Sequence, residues 1–267
     1  MLVACSTQFY VLEHYLRLKT DTPKNWLSSL QFLTRSPRLS MEVDFSVDSH
    51  NFSSRLSFLE TESVNVYGFF LSSASTIFGS NADATAIIMP LQGTVEFEVG
   101  GQHFVSAPGA PFVLEAGVEF FARLSPKVHL FIAQPNQPVS KDVTGHPENS
   151  DPQLTTLLES YLIETPFFRD HQHGVERTNR FGQALNRYIV GDKEVGRARK
   201  PIVLVGEERR LCRAFELIND HLQTGVDLEK IAMDSGMSLR NFYYLLDKYT
   251  GMTPYGYCRA RRLVKAR

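Results

Sequence analysis

Between residues 63 and 133 the apolar positions arrive in short bursts. The segments "VNVYGFFLSS", "ATAIIMPLQG", "TVEFEVGG", "QHFVSAPG", "PFVLEAG", "VEFFARLS" and "KVHLFIAQ" follow one another, each rich in Val, Ile and Phe and bounded by Gly, Pro, Asn or Ser. Short strands at that spacing predict an antiparallel sandwich or barrel. "VEFEVGGQHFVSAPG" predicts a hairpin turning at Gly100-Gly101, and the next turn falls at Pro108-Gly109. Ahead of this region the pattern is mixed. "FYVLEHYLRL" (9–18) reads as a short amphipathic helix, and "SMEVDFSVD" (40–48) alternates as a strand does.

Residues 134–152 are polar and hold four prolines, as a surface linker or barrel edge would. From 153 to 190 the period changes to that of a helix. Leu154, Leu157, Leu158, Tyr161 and Leu162 form one stripe, and a second helix is expected from about 176 to 189, with Phe181, Leu185, Tyr188 and Ile189 on one face. A charged linker, 191–201, leads to the last module. There Leu211, Phe215, Ile218 and Leu222 recur at i, i+4, i+7 and i+11, and Gly225 follows the helix. Asp227 is placed to cap a helix of two turns that buries Leu228, Ile231 and Ala232; Ser235-Gly236-Met237 breaks it. Ser238 caps a third helix, with Phe242, Leu245, Leu246 and Tyr249 inward and Arg240, Asn241, Tyr243, Tyr244 and Asp247 outward. Gly251 closes that helix, and Thr253 with Pro254 opens another. A short helix, a Gly turn and a second helix make a helix-turn-helix, whose outer Arg, Asn and Tyr side chains suit base edges and phosphates. An ordinary three-helix packing unit with a polar outer face has the same periodicity.

Composition adds a charge asymmetry. The chain has 267 residues, is 43% hydrophobic and carries a net charge of −1, so as a whole it gives no sign of binding nucleic acid or membrane. From Arg197 onward, however, 14 Lys and Arg face 8 Asp and Glu, a basic module on an acidic body. Cys5, Cys212 and Cys258 are far apart and form no paired motif, so they read as reduced thiols of a cytoplasmic protein. "MLVACS" resembles a lipobox, but only four residues precede Cys5, too few for an apolar signal core; the likeness reads as coincidence. No apolar run reaches the roughly 18 residues of a membrane span.

The order of residues from 227 to 263 resembles the signature region of the AraC/XylS family of bacterial transcription regulators. The likeness rests on the L-x-x-I-A of 228–232, the S-G-M-S of 235–238 and the aromatic-to-leucine run 242–246. It continues through Thr250-Gly251-Met252-Thr253-Pro254, Tyr257, Arg262-Leu263 and Ala266. In that family one long helix joins two helix-turn-helix units. The helix opening at Thr253 matches that connector, so the chain resembles a regulator that stops partway along it, after the first unit only. Fraying is expected after about Arg259. The stretch 87–114, with its Pro108-Gly109 turn, is similar to the cupin-like barrels that precede the DNA-binding domain in such regulators.

The resemblance implies an α+β chain in three parts. A cupin-like effector-sensing antiparallel β-barrel spans 1–150, linking or dimerising helices span 151–200, and an incomplete all-α helix-turn-helix DNA-binding domain spans 201–267. It implies Arg240, Tyr243 and Tyr244 as base-reading residues, and Ser238, Asn241 and Lys248 as phosphate contacts or caps. Many relatives have Arg where this chain has Tyr244. Tyr cannot make the bidentate guanine contact of Arg, so no base preference carries over to that position. The implied partners are promoter or operator DNA, a small-molecule effector, a second copy of the chain and RNA polymerase, with no membrane and no cofactor. The alternative is an effector-binding, dimerising protein that lacks autonomous DNA binding because its second helix-turn-helix is missing.

An enzyme is not expected. The stretch where metal cupins carry their HxH and Glu ligands contains no His, and Ala110-Pro111-Phe112 after Pro108-Gly109 supplies none. His171 and His173 read as surface histidines in a charged connector. Glu96, Glu98 and His103 read either as contacts to a polar effector inside the barrel or as an outward charged edge. No Ser-His-Asp order, P-loop or G-x-G-x-x-G appears.

Overall fold

The structure, a computed structural model, describes residues 10–45, 52–81, 84–136, 151–189, 206–222, 225–250 and 252–265. Cys5, Gly251, Ala266 and the linker 191–201 lie outside them, as do most of 134–152 and the second half of the 40–48 segment. The side chains of Cys212, Tyr249 and Leu263 also lie outside the described set.

Among the described residues, eleven strands form two antiparallel sheets. The six-stranded sheet runs, edge to edge, through β1 (Leu16–Thr20), β3 (Ser54–Glu60), β4 (Val64–Leu71), β11 (Val128–Pro135), β6 (Ala86–Gln92) and β9 (Phe112–Leu114). The five-stranded sheet is β2 (Ser40–Val43), β5 (Ser75–Ser80), β10 (Glu119–Leu124), β7 (Val95–Val99) and β8 (Gln102–Ser106). Together they make the antiparallel sandwich or barrel expected from the strand spacing.

The two sheets differ in pattern because they differ in what covers them. β11 is buried at all eight positions. Leu130 and Ile132 face the barrel interior, whereas Phe131 and Ala133 face a second apolar layer outside it. That outer layer is closed by α2 (Pro152–Glu164) and α3 (His171–Ile189), which bring Leu154, Leu158, Tyr161, Phe181 and Leu185 onto the sheet. A strand covered on both faces has no polar face to show, hence its apolar run from Leu130 to Ala133. β7 alternates instead: Val95 and Phe97 are buried, Glu96 and Glu98 exposed. The β7–β8 hairpin turns at Gly100 (φ 58°) and Gly101 (φ 78°), where a tight two-residue turn needs positive φ.

Residues 9–18 do not form the expected helix. A single 3-10 turn, Glu13–Tyr15, leads into β1, which pairs antiparallel with the edge of β3. Leu12 sits at φ 56° immediately before that turn, and the open edge of β3 offers the backbone a ladder in place of intrahelical bonds. A helix absent from the sequence-based expectation, α1 (Pro23–Thr34), closes one end of the barrel. Trp26, Leu30 and Thr34 are its buried side, and Trp26 meets Phe69 edge-on at 5.3 Å. The second linking helix begins at His171, earlier than the expected 176, because Asp170 accepts the His173 backbone N–H (2.8 Å) and so caps it.

The C-terminal unit has its own core. It comprises α4 (Gly206–His221), α5 (Leu228–Asp234), α6 (Leu239–Thr250) and α7 (Pro254–Lys265). Leu211, Phe215 and Ile218 of α4 meet Ile231 and Ala232 of α5, and Phe242, Leu245 and Leu246 of α6. α7 adds Tyr257, whose ring lies 4.6 Å from that of Phe215. Its backbone is helical through Lys265.

Candidate nucleic-acid interface

The turn between α5 and α6 fixes how α6 is presented. Asp227 accepts the backbone N–H groups of Glu229 and Lys230, both at 3.1 Å, and starts α5. α5 ends when Ser235 returns its hydroxyl to the Ile231 carbonyl (2.7 Å) and Gly236 takes φ 70°. A Cβ at Gly236 would meet only the Arg210 side chain, at 3.7 Å, so the backbone angle and not crowding selects glycine there. Arg210 of α4 reaches the Gly236 carbonyl at 3.4 Å. Ser238 then accepts the Asn241 backbone N–H (3.2 Å) and starts α6.

With Phe242, Leu245 and Leu246 completely buried, α6 cannot rotate. Its other face is set by elimination. Ser238, Arg240, Tyr243, Tyr244, Asp247 and Lys248 are exposed and Asn241 is half-buried. Tyr243 and Tyr244 keep 41% and 61% of their surface in solvent, unusual for rings in a unit with this much core available. Lys248 holds its ammonium 5.9 Å from the Tyr244 ring centroid, which aligns the two on one strip of the helix. The structure thus exposes Arg240, Tyr243, Tyr244 and Lys248 along α6 and Ser238 just before it, with Asn241 at the margin of that face. The face combines a guanidinium fork, two phenols, an amide and an ammonium, which are donors to phosphate oxygens and to base edges. Arg262 of α7 donates to the Leu222 carbonyl (3.1 Å), bracing α7 against the end of α4.

Other sequence candidates do not converge. Glu96, Glu98 and His103 stand on the exposed side of the β7–β8 hairpin, with His103 and Glu98 3.7 Å apart and Glu96 4.0 Å from Arg123. They form an outward charged edge, so the reading that places them around an effector inside the barrel fails. His171 and His173 lie in the first turn of α3 rather than in a connector, and the Arg169 backbone N–H donates to His173 Nδ1 at 3.2 Å. Among the described residues no group of three or more His, Cys, Asp or Glu could hold a metal ion. Cys258 is buried in the helical core, and burial raises its thiol pKa. His129 escaped the sequence reading because it lies in an apolar strand without a motif. It is buried, stacks on Tyr10 at 5.1 Å and accepts the Val11 backbone N–H at 3.2 Å. Burial, helped by the Arg55 charge, pushes its pKa down to about 3, so it is a neutral acceptor holding the N-terminal segment to the sheet.

The geometry of α4 to α7 coincides with a known pattern. Residues 218–255 match the family model of bacterial regulatory helix-turn-helix proteins, AraC family. Over those residues the chain is similar to the AraC-family helix-turn-helix proteins. The match runs from the end of α4 to the start of α7 and so includes the whole α6 face. Over 85 residues the chain is 38% identical to the HTH-type transcriptional activator RhaS of Escherichia fergusonii, covering 31% of each protein. The chain therefore aligns with about a third of the length of this curated relative. It is also similar to the crystal structure of the AraC-like transcriptional activator CuxR, at 20% identity, 94% coverage of both chains and a TM-score of 0.48. A cupin 2 conserved barrel domain protein from Rhodopseudomonas palustris is similar at 10% identity over 39% of this chain and 80% of that one, with a TM-score of 0.28. No helix among the described residues is long and apolar enough to cross a membrane.

Proposed function

We propose that the chain is a sequence-specific DNA-binding transcription regulator whose barrel senses a small molecule. The observation that carries this reading is the α6 face of the AraC-family unit: Arg240, Tyr243 and Tyr244 exposed on a helix whose opposite side is locked in the core. In the proposed complex α6 enters the major groove with Arg240, Tyr243 and Tyr244 at base edges. Ser238, Asn241 and Lys248 meet phosphates. The Ser238 oxygen accepts the Asn241 N–H, and its hydroxyl can still donate to a phosphate oxygen. Tyr244 offers one hydroxyl and a ring face, which suits single hydrogen bonds or a thymine methyl rather than the paired acceptors of guanine.

The division that goes with this function is an effector-sensing part over 1–150, linking or dimerising helices over 151–200 and a DNA-binding part over 201–267, all in the cytoplasm. Two copies would present two α6 helices to half-sites about one helical turn, roughly 34 Å, apart. RNA polymerase is the further partner if the regulator activates. Binding to random DNA and to the region upstream of the chain's own gene, titrated with salt, tests the reading. Log K should fall linearly with log salt, by about 0.9 for each phosphate neutralised, with the upstream DNA bound more tightly. Absence of binding at low salt overturns it and favours an effector-binding, dimerising protein without autonomous DNA binding.

A further inference from the structure

Leu239 is the first residue of α6, and its side chain stands 36% exposed. It is not part of the helical core. Nor is it among the half-buried apolar side chains packed against that core, which are Leu217, Val226, Leu228 and Met252. Folding does not account for it. The first turn of a helix favours acidic residues, and α5 has Glu229 there, whereas the first turn of α6 has none. The helix propensity of leucine is matched by Ala, Lys or Glu, none of which would hold an aliphatic group in water at this place.

Its neighbours set what it can meet. Tyr243 follows at i+4, one turn along the same strip of the helix, and is 41% exposed. Ser238 and Arg240 flank it and are exposed too. Leu239 is therefore an apolar point at the leading end of the face assigned to DNA. In a helix-turn-helix it is the N-terminal residues of the second helix that reach base edges. Among the groups that base pairs present in the major groove, the apolar one is the thymine 5-methyl.

We propose that Leu239 packs against the 5-methyl group of a thymine in the major groove and is a further specificity-determining residue of α6. This rests on the reading of α6 as the helix that meets DNA, and it names a base that the helix selects. Cytosine or guanine at the same place would turn an amino donor or a pair of acceptors toward an aliphatic side chain that offers them no partner. A protein surface could also cover an exposed leucine. The flanking Arg240 and the lack of an acidic residue in the first turn of α6 favour a polyanion instead.

The test compares DNA from upstream of the chain's own gene, made with thymine or with deoxyuridine, which lacks only the methyl group. Random DNA is the reference, and the proteins are the full chain and Leu239→Ala. The wild type should bind the thymine DNA at least about threefold more tightly than the uracil DNA, the effect of burying one methyl group. In Leu239→Ala that ratio should shrink by about the same factor. Its urea midpoint should stay in place, because the side chain lies outside the core. Its salt slope should stay too, because no charge is lost. Equal wild-type affinity for the two DNAs, or a thymine preference as large in Leu239→Ala as in the wild type, overturns the role of Leu239. Either result leaves the reading of α6 in place as long as upstream DNA is preferred to random DNA. A lowered urea midpoint in Leu239→Ala places the side chain in packing and also overturns the proposal. A wild type that does not distinguish upstream from random DNA removes the reading of α6 itself, and the proposal with it.

Discussion

In the barrel, the Phe97 and Phe112 rings lie 3.8 Å apart, centroid to centroid, and both are nearly excluded from water. On α6, Tyr243 and Tyr244 stand 41% and 61% exposed although a packed core lies on the other side of the same helix. The barrel spends its aromatics on enclosure. The helical unit spends its Phe and Leu on holding α6 still, and leaves its polar and aromatic side chains outside. The barrel interior is lined by apolar side chains. A convex polar face suits a large, hydrated, charged partner. The two regions differ in which way each turns its aromatic side chains.

The largest effect that sharpens this comparison is expected in the helical core. Phe242→Ala removes a completely buried ring and should cost about 3–5 kcal/mol. The single tryptophan, Trp26, is buried in the barrel and reports on it alone. In urea unfolding, the part of the far-UV helical signal that comes from α4–α7 should be lost at lower denaturant, while the part from α1–α3 and the Trp26 fluorescence transition stay in place. Movement of both transitions together would show one cooperative unit and break the comparison.

A smaller effect, confined to the barrel, follows from His129. Its folded pKa, about 3, lies below the ordinary value of 6.5, so the unfolded chain binds the proton first as pH falls. The stability it contributes is present above about pH 6.5 and is lost progressively toward pH 3. Between pH 7 and pH 5 the Trp26 transition should lose about 2 kcal/mol from this group. His129→Gln, which keeps an acceptor for Val11, should flatten that loss. An unchanged pH dependence in the variant would contradict the role given to His129.

Asp227→Ala should cost about 1 kcal/mol, seen only in the part of the helical signal from α4–α7, by removing the cap that takes two backbone N–H groups. Tyr243→Ala and Tyr244→Ala should change stability by less than about 0.5 kcal/mol, because the rings are not part of the core. A loss of 2 kcal/mol or more at either would place that tyrosine in packing rather than recognition.

How much of this was legible in the sequence tracks how local each feature is. The stripe Leu211, Phe215, Ile218 and Leu222, the caps at Asp227 and Ser238, and the Gly236 turn are decided within a few residues, and all could be placed. The seven strand segments between 63 and 133 could be placed for the same reason. Residues 9–18 went wrong because Leu16, Leu18 and their neighbours suit either period, and the choice was made by β3, about forty residues away. Helix α1 had a usable signal, Pro23 at its first turn followed by Trp26, Leu27 and Leu30, but too short a stripe to stand out. On α6 the face followed from periodicity alone. The lining of the barrel interior did not, since it depends on strand register and on α1 closing the end.

The central claim is that the outward face of α6 reads DNA. Its most direct test compares wild type with Arg240→Ala/Tyr243→Ala/Tyr244→Ala, measuring affinity for upstream and random DNA at one fixed salt concentration, after confirming an unchanged urea midpoint. The account predicts that the variant loses most of the preference for upstream DNA, by about 10- to 100-fold or more, while weak non-specific binding persists. Equal preference in the two proteins would contradict it.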